Sequence, residues 1–173
     1  MNRKCIIVMG VSSSGKSTIG SALAEHFNYV FIDGDHLQPK SNIEKIKQKI
    51  PLTDEDRAQW MSKICTIVME QNAKGEDCVV ACGAIKRKYR SILRGCIDNA
   101  KFIYLKANVE MLIERNQNRK NHWMSTELLE KQFAALEEPD NSEKDILTVP
   151  INQDIAETVA NATKALKQHI ILS

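Results

Sequence analysis

Aromatic residues are scarce. Trp, Tyr and Phe make up 5% of the 173 residues, too few for an interface or a nucleic-acid platform built on stacked rings. Charge of one sign is not in excess either. Twenty-four Lys and Arg stand against 22 Asp and Glu, a net charge of +2, which argues against a general nucleic-acid or membrane binder. Long apolar runs are missing. The longest stretch free of Asp, Glu, Lys and Arg is Cys5–Gly15, 11 residues that include three serines, well short of the ~20 needed to span a bilayer. Met1-Asn2-Arg3-Lys4 leads into an apolar run too short for a signal-peptide core, so the chain is read as cytoplasmic. The five cysteines (Cys5, Cys65, Cys78, Cys82, Cys96) offer no C-x-x-C pair and no histidine at zinc-site spacing. They are expected to be free, buried thiols in a reducing compartment.

What is present is ordinary globular composition: 43% hydrophobic and 27% charged residues, enough to bury a core without disulfides or a structural metal. Length favours a single domain over 1–173. Five short apolar runs, Lys4–Met9, Tyr29–Ile32, Cys78–Cys82, Phe102–Leu105 and Ile146–Val149, read as strands. Each is followed by helical periodicity, as in Ile19, Ala22, Leu23, His26 and Phe27. Thr53 and Asn108 stand where helix N-caps are expected. This alternation predicts an α/β fold, a five-stranded parallel sheet with helices on both faces.

Between the first strand and the first helix, Gly10-Val11-Ser12-Ser13-Ser14-Gly15-Lys16-Ser17 fits G-x-x-x-x-G-K-[ST] at every fixed position. Glycines let such a loop curl so that successive backbone N–H groups converge on phosphate oxygens. The helix that follows aims its positive end at the same anion. The motif predicts a three-layer P-loop NTPase fold. Residues 10–17, with Thr18, bind ATP; Lys16 reaches the β- and γ-phosphates, and the Ser17 hydroxyl ligates Mg²⁺. Lys16 is expected to face solvent. No Asn-Lys-x-Asp guanine reader is present, which disfavours a GTP switch. A small-metabolite kinase remains.

Asp33-Gly34-Asp35 follows the second strand, and ligands of open α/β sheets bind beyond strand carboxyl ends. Phosphoryl transfer needs a metal organiser and a group that holds or deprotonates the attacking hydroxyl. Asp33 is assigned to Mg²⁺ through water and Asp35 to the substrate hydroxyl. The alternative is a solvated turn with a helix N-cap at Asp35.

From Gly10 onward the chain resembles the gluconate kinases (gluconokinases), small P-loop sugar-acid kinases. The runs that carry the resemblance are Met-Gly-Val-Ser-Ser-Ser-Gly-Lys-Ser (9–17), Phe-Ile-Asp-Gly-Asp-His-Leu-Gln-Pro (31–39) and Asn-Ile-Glu-Lys-Ile (42–46). They continue with Pro-Leu-Thr-Asp-Glu-Asp-Arg-Ala-Gln-Trp (51–60), Ala-Cys-Gly-Ala-Ile-Lys-Arg-Lys-Tyr-Arg (81–90) and Phe-Ile-Tyr-Leu (102–105). Arg-Lys-Asn-His-Trp (119–123) and Gln-Phe-Ala-Ala-Leu-Glu-Glu-Pro (132–139) complete the series. Four positions depart from the family pattern. Ser13 replaces a usual glycine, Gln38 stands in a usual Leu-His-Pro, Gly83 in a usual Cys-Ser-Ala, and Gln59 replaces a proline.

The resemblance implies ATP-dependent phosphorylation of D-gluconate to 6-phosphogluconate, with ATP and Mg²⁺ as cofactors. A related kinase for another sugar acid, shikimate or a nucleotide, and a non-catalytic ATP-binding regulator, are the rivals. An anionic polyol calls for cations around its carboxylate and for acids or amides around its hydroxyls. Arg57, Lys86 and Arg90 supply the cations, Asp35 and Asn42 the hydroxyl partners. Lys86 and Arg90 are four apart, one face of a helical turn, although a solvated basic face would read the same way. A substrate-binding arm is placed around 36–60 and a small mobile lid around 115–126. In that lid Arg119 reaches the transferring phosphoryl group, Arg115 covers the adenine, and His122 is a lid residue. The loop Val149–Asp154 closes the other side of the adenine. The partners implied are gluconate and ATP, with no nucleic acid or membrane; a homodimer is left open.

Overall fold

The computed structural model describes residues 3–118, 125–151 and 154–172. Its elements alternate as the periodicity requires. Strand β1 (Cys5–Met9) feeds α1 (Lys16–Phe27), and β2 (Val30–Asp33) runs into a 3₁₀ turn (Gly34–Leu37), α2 (Lys40–Lys47) and α3 (Asp54–Ala73). Then come β3 (Cys78–Ala81), α4 (Arg87–Cys96), β4 (Ala100–Lys106), α5 (Val109–Gln117), α6 (Thr126–Ala135), β5 (Ile146–Pro150) and α7 (Ile155–Leu172). The strands form one parallel sheet in the order β2-β3-β1-β4-β5. In the register, Ile7 lies beside both Val80 and Phe102.

Side chains on a strand alternate between faces, so the all-apolar β1 feeds two cores. Ile7 and Met9, with Val80 and Phe102, pack under α3 and α4 through Trp60, Ile64, Val68 and Leu93. Ile6 and Val8, with Val79 and Ile103, pack under α1 and α7 through Ile19, Leu23, Ala162 and Leu166. A sheet covered on both faces is what continuous apolar strands require. Helix starts follow local chemistry. Thr53 and Asp56 form a reciprocal capping box at α3. The Asn108 side chain accepts from Met111 N–H at α5. No described helix is long and apolar enough to cross a membrane.

One expectation is corrected. Cys65 of α3 and Cys96 of α4 form a disulfide, so only Cys5, Cys78 and Cys82 are free thiols, all buried. The two helices pack side by side and bring Cα atoms of residues 31 apart in sequence to 5.9 Å, a separation a disulfide can bridge. Spacing in the sequence could not reveal that pairing of helices. Among the free thiols, burial pushes Cys82 up to about 12, which keeps it protonated and unreactive.

Candidate active site

The carboxyl ends of β1, β2 and β3 lie side by side and each contributes a turn to the site. The turn after β2 is fixed by a close approach. A Cβ on Gly34 would stand 2.3 Å from the Ala81 carbonyl oxygen, so only glycine lets β2 pass β3 there. The Gly34 carbonyl accepts from Trp60 Nε1–H at 2.8 Å, and Asp33 Oδ1 accepts from Asp35 N–H at 3.1 Å. Asp33, not Asp35, is therefore the residue that caps this turn. Asp35 is left to line a cavity of about 230 Å³ together with Lys16, Ser12, Arg57 and Lys86.

The phosphate loop curls as its sequence demands. Gly15 has φ 93°, and Ser13 also has a positive φ of 65°. The left-handed region costs a residue with Cβ roughly 1 kcal/mol or more. The Ser13 hydroxyl meets Asn116 Oδ1 at 3.2 Å, a contact glycine could not make. Lys16 does not face solvent as expected. It is buried, and its ammonium donates to the Val11 carbonyl at 3.0 Å, folded back over its own loop. Ser17 is half-buried in the first turn of α1 and Thr18 is exposed. That turn has no side-chain cap and no acidic residue, so its amides suit a bound anion. Arg115, in the last turn of α5, reaches the same loop: its Nη1 lies 3.9 Å from where a Cβ on Gly15 would stand. Arg119 and His122 lie outside the described residues, as do Asn152 and Gln153 of the Val149–Asp154 loop.

The three candidate cations separate. Arg57 is half-buried on the cavity wall, its guanidinium 5.5 Å from the centroid of the Tyr89 ring. Burial pulls its pKa below the ordinary arginine value, and no carboxylate lies within salt-bridge distance of it among the described residues. Lys86 also lines the cavity but has Asp54 Oδ1 at 3.8 Å. Asp54 is shared with Lys88 and with the Tyr89 hydroxyl, and these partners, Lys88 foremost, hold its carboxyl down to about 2. Arg90 does not reach the cavity, which corrects its assignment to the substrate. It is 1% exposed, and its Nε and Nη2 donate to Glu143 at 2.8 and 2.5 Å. Its Nη1 donates to the carbonyls of Ala84 and Glu137, both at 3.1 Å. The four-residue spacing misleads because Lys86 is the extended residue that precedes α4 (φ −113°, ψ 146°), so the two side chains do not share a helical face.

The other arginines of the basic segment are likewise paired with the acidic loop 139–145. Arg87 meets Asp140, and Arg94 meets Asp145 and Glu143. Glu143 is 6% exposed, and its hydrogen bond from Arg90 holds its pKa below the usual carboxylate value. Removing one member of a buried pair strands the other charge. Glu143→Ala is therefore expected to destabilise the fold by about 3–5 kcal/mol, read as a lower urea midpoint. Because the native pKa of Glu143 is depressed, its contribution is full above the unfolded carboxyl value and is lost as pH falls through the native one. The variant's deficit should shrink correspondingly in acid.

Asn42, expected at the substrate, stands behind the cavity wall. It is 1% exposed, and its Nδ2 donates to Gln38 Oε1 at 3.0 Å and to the Asp56 carbonyl at 3.3 Å. Gln38 takes the place on the wall, and so do Lys131 and Gln132 of α6. Gln132 Oε1 accepts from the Ser12 N–H at 2.5 Å, tying α6 to the phosphate loop. The sequence held a signal for it, a glutamine among the inward apolar positions Leu128, Leu129, Phe133 and Leu136.

The phosphate loop thus shares one cavity with Asp35 and with Arg57, which has no carboxylate within salt-bridge distance among the described residues. The shikimate kinase family model matches residues 12–170. The chain is 40% identical over 171 residues to the thermosensitive gluconokinase of Escherichia coli K12, spanning 99% of this chain and 89% of that one. It is 39% identical over 138 residues to the gluconokinase of Gluconobacter oxydans, with 80% and 78% of the two chains covered. The crystal structure of a gluconokinase from Sinorhizobium meliloti 1021 superposes with a TM-score of 0.84 at 41% identity, over 95% of this chain and 92% of that one. A shikimate kinase from Aquifex aeolicus, at TM-score 0.61 and 18% identity, shares the fold. The chain belongs to the shikimate kinase family and, within it, to the gluconokinases.

Proposed function

We propose that the protein transfers the γ-phosphoryl group of ATP to the C6 hydroxyl of D-gluconate, giving ADP, 6-phosphogluconate and a proton. The observation that carries the choice of acceptor is Arg57, a cation on the cavity wall with no carboxylate within salt-bridge distance among the described residues. Such a group favours an anionic ligand, because a charge withdrawn from water without a partner is costly. Lys86 is already matched by Asp54 and ranks second.

In this reading the phosphate loop and the first turn of α1 hold the nucleotide, Arg115 approaches it from the end of α5, and Arg119 is assigned to the transferring phosphoryl group. Ser17, and Asp33 through water, would hold the Mg²⁺ that accompanies ATP, and the ion would offset phosphate charge. Lys16 swings from the Val11 carbonyl onto the β- and γ-phosphates. Asp35 takes the proton of the attacking hydroxyl as its oxygen bonds to the γ-phosphorus and the bond to the bridging oxygen of ADP breaks.

A coupled ADP-release assay comparing gluconate with glucose, which lacks the carboxylate, tests the reading. Wild type is expected to prefer gluconate by at least about tenfold in kcat/KM, the worth of one charge-assisted contact. Arg57→Ala should erase most of that preference, and Lys86→Ala should leave most of it. No turnover of gluconate by wild type overturns the proposal. A preference untouched by Arg57→Ala removes Arg57 from the carboxylate.

A further inference from the structure

Gln38 is 7% exposed and lines the cavity beside Asp35, in the turn that Asp35 begins: its N–H donates to the Asp35 carbonyl at 3.3 Å. Its side-chain amide has a defined polarity. Behind it, Asn42 presents one group to two neighbours, the Asp56 carbonyl and the Gln38 side chain. A backbone carbonyl only accepts, so the Asn42 group between them is its NH₂, and both hydrogens of that NH₂ are engaged. Gln38 therefore turns its oxygen to Asn42 and its Nε2 away from it. No described residue accepts a hydrogen bond from that Nε2. The Asp56 carbonyl that starts this relay is itself held in place, since Asp56 belongs to the capping box of α3 and pairs with Lys45 at 2.7 Å.

We infer that Gln38 is a specificity-determining residue for the acceptor. Its Nε2 donates to a substrate oxygen next to the hydroxyl engaged by Asp35, and Asn42 is the positioning residue that fixes the amide's direction. The inference rests on the proposed sugar-acid kinase reading. A neutral imidazole at this position would meet the same specification as the glutamine, with one ring nitrogen accepting from Asn42 and the other donating into the cavity; Gln38 supplies that donor without a group that titrates.

The test compares Gln38→Glu, Gln38→Met and Gln38→His in steady-state kinetics with gluconate and ATP. Gln38→Glu keeps an acceptor for Asn42 but offers the cavity an anion beside Asp35. Its KM for gluconate should rise at least about tenfold, with KM for ATP within about twofold of wild type. Protonation restores a donor, so this defect should shrink as pH is lowered towards about 5. Gln38→Met removes the hydrogen bond without a charge, and its defect should not depend on pH. Gln38→His should stay within about threefold of wild type above the range where imidazole titrates. If Gln38→Glu does not fold, the contrast between Met and His decides. Wild-type turnover of gluconate combined with an unmoved gluconate KM in Gln38→Met and Gln38→Glu overturns this inference alone. A parallel rise in both KM values also overturns it, as a packing effect. Absence of gluconate turnover in wild type defeats the proposed function and this inference with it.

Discussion

Lys16→Ala is expected to lower turnover by at least about 10²–10³-fold, the scale on which a charge-stabilising donor acts at a transition state. The fold should survive. Lys16 is buried, but against its own loop, through the bond from its ammonium to the Val11 carbonyl. Losing that bond costs about 1 kcal/mol. The two apolar layers that hold α1 on the sheet, Ile19 and Leu23 on one side and Ile6 and Val8 on the other, are untouched. Circular dichroism establishes that the variant is folded, and the ADP-release assay reads the loss. A folded variant with near-normal activity would refute the role of the loop in catalysis.

Asp35→Asn should reduce turnover by about 10²-fold or more if the carboxylate is a general base. Asparagine keeps the shape and cannot take the proton. Nucleotide affinity should change little, because Asp35 faces the acceptor cavity while the cap of the turn is Asp33. Isothermal titration with a non-hydrolysable ATP analogue separates the outcomes. Collapse of nucleotide affinity with sugar-acid affinity intact would exchange the roles of Asp33 and Asp35.

Much of this was legible in the chain because it is local. Strand and helix follow from side-chain period, the phosphate loop from fixed glycines and a lysine, and the caps at Thr53 and Asn108 from residue type. What was not legible depends on which distant segments meet. The basic run 86–94 and the acidic loop 139–145 look like two solvated surfaces until β3 and β5 are placed in one sheet, and then Arg90 and Glu143 neutralise each other in the interior. Cys65 and Cys96 meet because α3 packs on α4. Asn42 was read as a partner of the substrate's hydroxyls, but its partner is Gln38, one layer short of the cavity. A sequence can show that a side chain needs a partner; the partner's identity is a property of the tertiary arrangement.

The place of β1 in the sheet has a consequence for how the protein is made. This strand carries the phosphate loop, and its neighbours are β3 and β4, with Cys5 opposite Cys78 on one side and Ala100 on the other. At ~5–20 residues per second of synthesis, Ala100 follows Cys5 by roughly 5–20 s. Until β3 is made, Cys-Ile-Ile-Val-Met is an apolar strand with both edges open, and until β4 is made one edge stays open, in a topology whose non-local contacts make closure slow. The segment on which nucleotide binding depends is therefore made well before either of its sheet partners, and its apolar edges must stay unpaired until they arrive.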